Sequence, residues 1–221
     1  MIVRMILILL CLMASPVLAQ QSSSLNLSSN VWTLAQGIGY YGTTHNTIQP
    51  DGTNSLAFTF QTYESGIHDG YLTTQFKRNQ SLSLSTTQTL KIRVRLTVLS
   101  GNPIFRYDTE ANNTCVFPAH FRPYFASGKI YGPDYTRWWS NPIAVELSAT
   151  TGEQTIYVPL TPDNWSGLYG ERASDYPAQF AKSLCSINFI GATMGGGCFF
   201  GHGVSTQYGT AMFEVLEYSI F

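Results

Sequence analysis

Charged residues are scarce in this sequence, at 11% of the chain, whereas aromatic residues reach 14%. Disordered chains and exposed helices carry many more charges, so the composition excludes a mainly disordered protein and disfavours a helical one. Acidic and basic residues nearly balance, because 13 Asp and Glu stand against 12 Lys and Arg. Without a cationic surplus, the chain lacks the electrostatic footprint of a protein that binds DNA or RNA.

The common catalytic motifs are also missing. The sequence contains neither the G-x-S-x-G elbow of serine hydrolases nor the H-E-x-x-H helix of zinc proteases. A glycosidase needs two carboxylates in one cleft, but Glu214 and Glu217 would lie on opposite faces of a regular strand. An enzyme is therefore the less favoured class of protein.

One long apolar run is present, at residues 5–13 near the amino terminus. It is too short to span a bilayer, it follows Arg4, and the small residue Ala19 comes soon after it. These features are typical of a signal peptide. We expect residues 1–19 to be removed and residues 20–221 to form one secreted or periplasmic domain without a membrane span.

Cysteines are few, since Cys115, Cys185 and Cys198 are the three that follow the predicted cleavage site. An exported protein meets an oxidising compartment, so we expect one disulfide and one remaining thiol, with the pairing left open. Cys115 with His120, and Cys198 with His202, also match two halves of a zinc site. A disulfide is the favoured interpretation, because secretion disfavours thiolate ligation.

Alternation of apolar and polar residues predicts strands along most of the chain. In the clearest strand, residues 90–98, every second side chain is apolar, and Lys91, Arg93 and Arg95 share the other face. Turn residues bound further predicted strands at 55–62, 70–76, 81–85, 104–108, 120–125, 143–148, 155–160, 185–192 and 210–220.

One short helix is predicted near residues 176–184, where Pro177 suits the first turn and Ser174 or Asp175 suits the cap. Many short strands at regular spacing with one helix are typical of a sandwich. The predicted fold is therefore all-β, a jelly-roll β-sandwich of two antiparallel sheets.

The closing third has a recognisable order of features. Pro159-Leu160-Thr161 precedes Asn164-Trp165, a helical segment ends at Leu184, and residues 187–191 and a terminal strand follow. This order, over residues 155–221, resembles the end of galactose-binding-like jelly-roll domains, which include carbohydrate-binding modules and laminin-type domains. The resemblance implies a non-catalytic domain that binds glycans through loops at one end or through a concave sheet face. Residues 195–203 have no counterpart in that pattern, so no binding residue is carried over.

Aromatic residues are concentrated between residues 121 and 139, where glycine and proline interrupt the sequence. Flat rings cover the apolar C–H faces of sugars, and turn-rich loops leave such rings exposed. The candidate ligand-binding residues are Trp138, Trp139, Tyr135, Tyr131, Arg137, Tyr124 and His202. Adjacent Trp138 and Trp139 would point to opposite faces of a strand, so at most one is expected to be buried by a single sheet face. Packing in the core is the alternative.

Two further features have alternative interpretations. The row formed by Lys91, Arg93 and Arg95 could meet an acidic polysaccharide, but neutralisation by acidic residues on neighbouring strands is favoured. Asp51-Gly52-Thr53-Asn54 offers oxygen ligands for a structural calcium ion, or forms an Asx turn without one. No other cofactor is expected.

Taken together, the sequence predicts a secreted, non-catalytic binding module for carbohydrate. An extracellular protein-interaction or adhesion domain with a cell-surface partner is the alternative. An unrecognised hydrolase is a less favoured third.

Overall fold

The computed structural model describes residues 23–27, 31–38, 43–48, 56–76, 80–107, 118–129, 133–150, 152–196 and 203–221. Within these residues, two antiparallel sheets pack against each other and one α-helix accompanies them. The predicted all-β sandwich is confirmed. The predicted signal peptide and the predicted calcium turn at 51–54 lie outside the described residues.

The smaller sheet has five strands. They are β1 (Ser23–Ser24), β4 (Leu56–Thr59), β6 (Thr89–Arg106), β10 (Gly152–Pro159) and β13 (Ser205–Ile220). β13 pairs with β6 along one side and with β1 and β4 along the other, and β10 pairs with the far side of β6. The terminal strand therefore lies inside a sheet, which suits its apolar sequence.

The larger sheet has eight strands. They are β2 (Trp32–Ile38), β3 (Thr43–Ile48), β5 (Ile67–Gln75), β7 (His120–Ala126), β8 (Arg137–Ser140), β9 (Val145–Glu146), β11 (Trp165–Ser166) and β12 (Phe189–Gly195). Their spatial order is β11-β8-β7-β12-β5-β2-β3, and β9 also pairs with β7.

The core lies between the sheets and follows the predicted alternation. Leu90, Ile92 and Val94 of β6 are buried, and the intervening basic residues are not. From the larger sheet, the ring of Phe121 approaches that of Phe213 on β13 to a centroid distance of 4.7 Å. Each such buried side chain contributes roughly 1.5–3 kcal/mol through removal of apolar surface from water, so these contacts hold the two sheets together.

The helix α1 (Pro177–Leu184) has proline in its first turn, as predicted. The predicted cap is wrong. Ser174 and Asp175 lie in a preceding 3₁₀ turn, which places Tyr176 at the N-cap without a side-chain capping bond. Among the described residues, no helix combines the length and hydropathy needed to cross a bilayer.

Several strand boundaries differ from the prediction. Residues 81–85 form no strand, because Leu82 makes only an isolated bridge to Ile187. The expected break at residues 100–103 does not interrupt β6, since Gly101 adopts a φ of 62° and β13 follows it with register shifts. Residues 185–188 form a turn, so β12 begins only at Phe189.

Candidate ligand-binding surface

Trp138 and Trp139, the two rings from which ligand contact was expected, are both buried. Trp138 is 0% exposed in the core, where its ring centroid lies 5.3 Å from that of Phe180. Trp139 belongs to a separate cluster on the other face of the sheet, as strand alternation predicted, yet it is only 3% exposed. Tyr124 on the neighbouring strand is buried as well. The prediction that these rings are open to solvent is wrong, because apolar side chains also cover the outer face of the larger sheet.

We call this covering layer the outer-face cluster. Its members are Tyr71, Tyr124, Ala126, Trp139, Leu168 and Phe189. The ring of Tyr124 meets that of Tyr71 edge to face at 5.4 Å and that of Trp139 at 4.9 Å between centroids. The guanidinium carbon of Arg137 lies 5.9 Å from the Trp139 ring centroid, within the range of a cation–π contact. Three predicted residues, Tyr124, Arg137 and Trp139, are thus brought together.

Three hydrogen-bond donors beside this cluster have no partner among the described residues. They are Nε1 of Trp139, Nε of Arg137 and the hydroxyl of Ser166, and all three atoms are buried. Ser166 is the cross-strand partner of Trp139, and paired residues on neighbouring strands point to the same face. A buried donor without an acceptor lowers the stability of the fold by roughly 1–3 kcal/mol. These three donors could therefore gain free energy by binding an acceptor.

Arg122 adds a second guanidinium to the same face. It precedes Tyr124 by two positions on β7, so the two side chains point in the same direction. Its Nη1 donates to the main-chain carbonyl of Ser140 at 2.8 Å. Burial lowers the pKa of Arg122 to about 10, which leaves it protonated at neutral pH. Two positive charges therefore lie beside the rings of the outer-face cluster.

Tyr135 lies apart from this cluster, in the turn before β8. Its ring packs against that of Tyr176 at an interplanar angle of 42°, with centroids 4.5 Å apart. The hydrogen bond to the Tyr176 side chain is the main cause that raises the pKa of Tyr135 to about 12. The backbone of Tyr135 has a φ of 60°, which is uncommon for a residue with a side chain. The hydroxyl of Ser183 donates to its carbonyl at 3.0 Å. Strained residues held in this way cluster at functional sites.

Tyr169 is 80% exposed, in the turn between β11 and the helix. The carboxylate of Glu171 accepts a hydrogen bond from the main-chain N of Tyr169 at 2.8 Å, which fixes the turn. The charges of Glu171 and Asp134 both act on the hydroxyl of Tyr135. Glu171 of this turn is therefore close to Tyr135, and we call Asp134, Tyr135, Tyr169, Glu171 and Tyr176 together the tyrosine patch.

The sequence reasoning missed Tyr169 and Tyr176. The sequence held a signal for Tyr169, because Gly167 and Gly170 flank it closely. Glycines at this spacing predict a turn, and a ring in a turn is more exposed than one within a strand. Tyr176 carried no comparable signal. Of the other predicted residues, Tyr131 and His202 lie outside the described residues.

The outer face of the smaller sheet is polar, and the three cations of the predicted basic row have acidic partners. The pairs are Lys91 with Glu217 at 2.9 Å, Arg93 with Glu153 at 3.1 Å, and Arg95 with Glu214 at 2.7 Å. We call these six residues the charge ladder. The predicted neutralisation of the basic row by neighbouring strands is confirmed.

Glu214 and Glu217 both belong to the charge ladder, so the prediction that they lie on opposite faces is wrong. A register shift between Val215 and Glu217 adds a residue to β13, and such a bulge reverses the alternation of side chains. The hydrogen bond from Lys91 lowers the pKa of Glu217. The two carboxylates neutralise cations of β6 and do not form an open acid–base pair.

A buried carboxylate joins the two sheets at one end of the sandwich. Asp69 of β5 accepts hydrogen bonds from Nε2 of Gln36 and from the main-chain N of Gln61, each at 2.8 Å. Its own main chain exchanges two hydrogen bonds of 2.9 Å with Val204, just before β13. Burial raises the pKa of Asp69 to about 6, and the two hydrogen bonds oppose that rise only in part.

The described residues contain no group of three or more His, Cys, Asp or Glu side chains that could hold a metal ion. In the predicted zinc site, His120 begins β7, where burial lowers its pKa, and the other three residues lie outside the described ranges. Cys185 follows the helix and is not a free thiol. Both candidate partners, Cys115 and Cys198, lie outside the described residues, so the disulfide pairing stays a prediction.

Comparison with known proteins gives no family for this chain. No protein-family model matches it, and no curated protein matches it. The resemblance to galactose-binding-like domains therefore stays a prediction, and the function is inferred from the surfaces described above.

Proposed function

We propose that the protein is a secreted, non-catalytic carbohydrate-binding module that takes its sugar at the tyrosine patch. The supporting observations are the contact between the Tyr135 and Tyr176 rings, the charges of Asp134 and Glu171 that act on Tyr135, and the exposed Tyr169 ring in the turn that carries Glu171. Aromatic rings cover the C–H faces of a sugar, and carboxylate oxygens accept hydrogen bonds from its hydroxyls.

The position of the patch supports the same function. It lies where the turn before β8 meets the turn after β11, at the edge of the larger sheet. Loops on a rigid sandwich are common places for ligand recognition, because the sheets hold them while their side chains vary. Binding through loops is also one of the two modes that the galactose-binding-like resemblance implies.

Affinity electrophoresis in gels that contain polysaccharides, chosen after a glycan array, tests the proposal. We expect retardation of the native protein in at least one gel and its loss in Tyr169→Ala and Tyr176→Ala. Tyr157→Ala is the matched control, because Tyr157 is an exposed tyrosine on the other sheet. No retardation in any gel, or equal loss in the control, would remove the proposal.

Export is part of the proposal and has its own test. If residues 1–19 are a signal peptide, the amino-terminal sequence of protein recovered outside the cytoplasm begins at Gln20. Retention in the cytoplasm with Met1 still present would contradict export while leaving sugar binding to be judged separately.

A further inference from the structure

We propose that Arg137, Trp139 and Ser166 form an oxyanion-binding subsite on the outer face of the larger sheet. The ligand class is a carboxylate or sulfate group. This goes beyond the proposed sugar binding, because it concerns a different set of residues and a charged group.

The strand register places the three side chains on one face of the sheet. Arg137 and Trp139 are two positions apart on β8 and share a face, and the guanidinium lies 5.9 Å from the indole centroid. Ser166 on β11 is paired with Trp139 and points to the same face. A guanidinium, an indole N–H and a hydroxyl therefore lie on the same face of two adjacent strands.

Their hydrogen-bonding state indicates what kind of group they accept. Nε of Arg137, Nε1 of Trp139 and Oγ of Ser166 are buried and lack partners among the described residues. Arginine Nε and indole Nε1 can only donate hydrogen bonds, and a carboxylate or sulfate can only accept them. The charges of Arg137 and the nearby Arg122 favour an anion over a neutral acceptor.

Trp138 shows why a single unpartnered donor is not enough. Its Nε1 is also buried without a partner among the described residues, but its ring lies in the core against Phe180. No arginine accompanies it on the core face of β8, since Arg137 lies on the outer face. Three buried donors at neighbouring positions, together with a guanidinium, distinguish the outer face.

The oxyanion could be a free ion or the acidic substituent of a glycan. Leu168 packs over the outer-face cluster from the same turn that carries Tyr169, so the subsite adjoins the tyrosine patch. An acidic sugar could therefore place its ring on the patch and its charged group on the subsite. Sulfate and an acidic polysaccharide serve as separate probes.

Titration of the ¹⁵N-labelled full chain with sodium sulfate, followed through the indole N–H signals, tests the subsite. We expect the Trp139 signal, identified from Trp139→Phe, to shift and saturate with sulfate but not with chloride. The Trp138 indole in the same spectrum is the internal control and should not move. Arg137→Gln should weaken sulfate binding by about tenfold or more, as expected for the loss of a charge-assisted hydrogen bond.

Arg93→Gln is the matched control, because Arg93 is already paired with Glu153 on the other sheet, and it should leave sulfate binding unchanged. Ser166→Ala, which removes one donor with little change in volume, should weaken binding by about fivefold. A Trp139 signal that does not move, or that moves equally in Arg137→Gln and in Arg93→Gln, would overturn the subsite.

The two proposals fail separately. If Tyr169→Ala loses retention by polysaccharides but keeps the sulfate response, the subsite stands as a site for a free oxyanion. If retention survives Arg137→Gln undiminished on an acidic polysaccharide and the Trp139 signal is silent, the sugar proposal stands and the subsite is withdrawn.

Discussion

The outer faces of the two sheets differ in how their polar groups are satisfied. On the smaller sheet, the charge ladder pairs Lys91, Arg93 and Arg95 with carboxylates of β10 and β13. On the larger sheet, the guanidinium of Arg137 lies 5.9 Å from the Trp139 ring centroid, and each of these residues keeps a buried donor without a partner among the described residues. Charges that pair with each other have a structural explanation, whereas buried donors that lack a protein acceptor indicate a place where a ligand could bind. This contrast is the reason for proposing that a ligand binds at the larger sheet.

Substitution of the two tryptophans of β8 should have the largest effect on stability, and it should distinguish the core from the outer-face cluster. We expect Trp138→Ala to lower the free energy of unfolding by about 4 kcal/mol, because it opens a cavity in the core. Trp139→Ala should lower the free energy of unfolding by roughly half as much, because the smaller outer-face cluster can relax into the space and an unsatisfied N–H is removed. Denaturant unfolding measures both variants. Equal losses would mean that the outer face is a second core.

Asp69 differs from the carboxylates of the charge ladder. It is buried and accepts hydrogen bonds, and no cation is among the causes of its pKa shift. Burial raises its pKa from 3.8 to about 6, so the protonated form contributes stability that is complete below pH 3.8 and lost as the pH rises through about 6. Asp69→Asn should therefore raise the free energy of unfolding above pH 7, by about 2–3 kcal/mol at most. The variant amide keeps both contacts if the Gln36 amide rotates.

Thermal unfolding between pH 4 and 8 checks this prediction, with the exposed Asp163→Asn as the matched control. The difference between the Asp69 variant and the native protein should grow with pH and vanish at the acid end. A variant that is less stable than the native protein at pH 8 would show that the carboxylate is needed in its charged form.

The charge ladder should give the smallest effect. Lys91→Met is expected to lower the free energy of unfolding by less than about 1 kcal/mol, because both members of the Lys91–Glu217 pair are partly exposed. The lowered pKa of Glu217 means that this contribution is present above its ordinary value of 4.5 and fades as the pH falls through the lowered value. Urea unfolding at low and high salt measures it. A loss far above this size would place the ladder among the main stabilising features.

The local alternation of apolar and polar residues predicted the strands that have one buried face and one exposed face. In β6 the apolar residues 90, 92, 94 and 96 are buried and the basic residues between them face outward, because a strand alternates its side chains and the core accepts one face. The same rule placed Trp138 and Trp139 on opposite faces. The rule failed where β13 has a bulge, and Glu214 and Glu217 therefore came to the same face.

The candidate site was predictable only in part. Aromatic density predicted Tyr135, Arg137 and Trp139, and the structure places them in or beside the tyrosine patch and the outer-face cluster. The burial of Tyr124 and Trp139 was not predictable, because the residues that cover them come from β5, β12 and the turn after β11. Tyr176 reaches the tyrosine patch through its contact with Tyr135, and Ser166 reaches the outer face through its pairing with Trp139. Both contacts join residues that are distant in sequence.

Alternation, turn residues and composition, which act over a few neighbouring positions, determined from the sequence alone that this chain forms an antiparallel sandwich and which side of β6 faces water. Whether an outward side chain is bare, paired or covered was decided only by the tertiary structure. That outcome depends on strands that are far apart in sequence and adjacent in space, and on bulges that shift their register. For this reason the cations of β6 became paired charges, whereas Arg137 and Trp139 of β8 keep donors without a partner among the described residues.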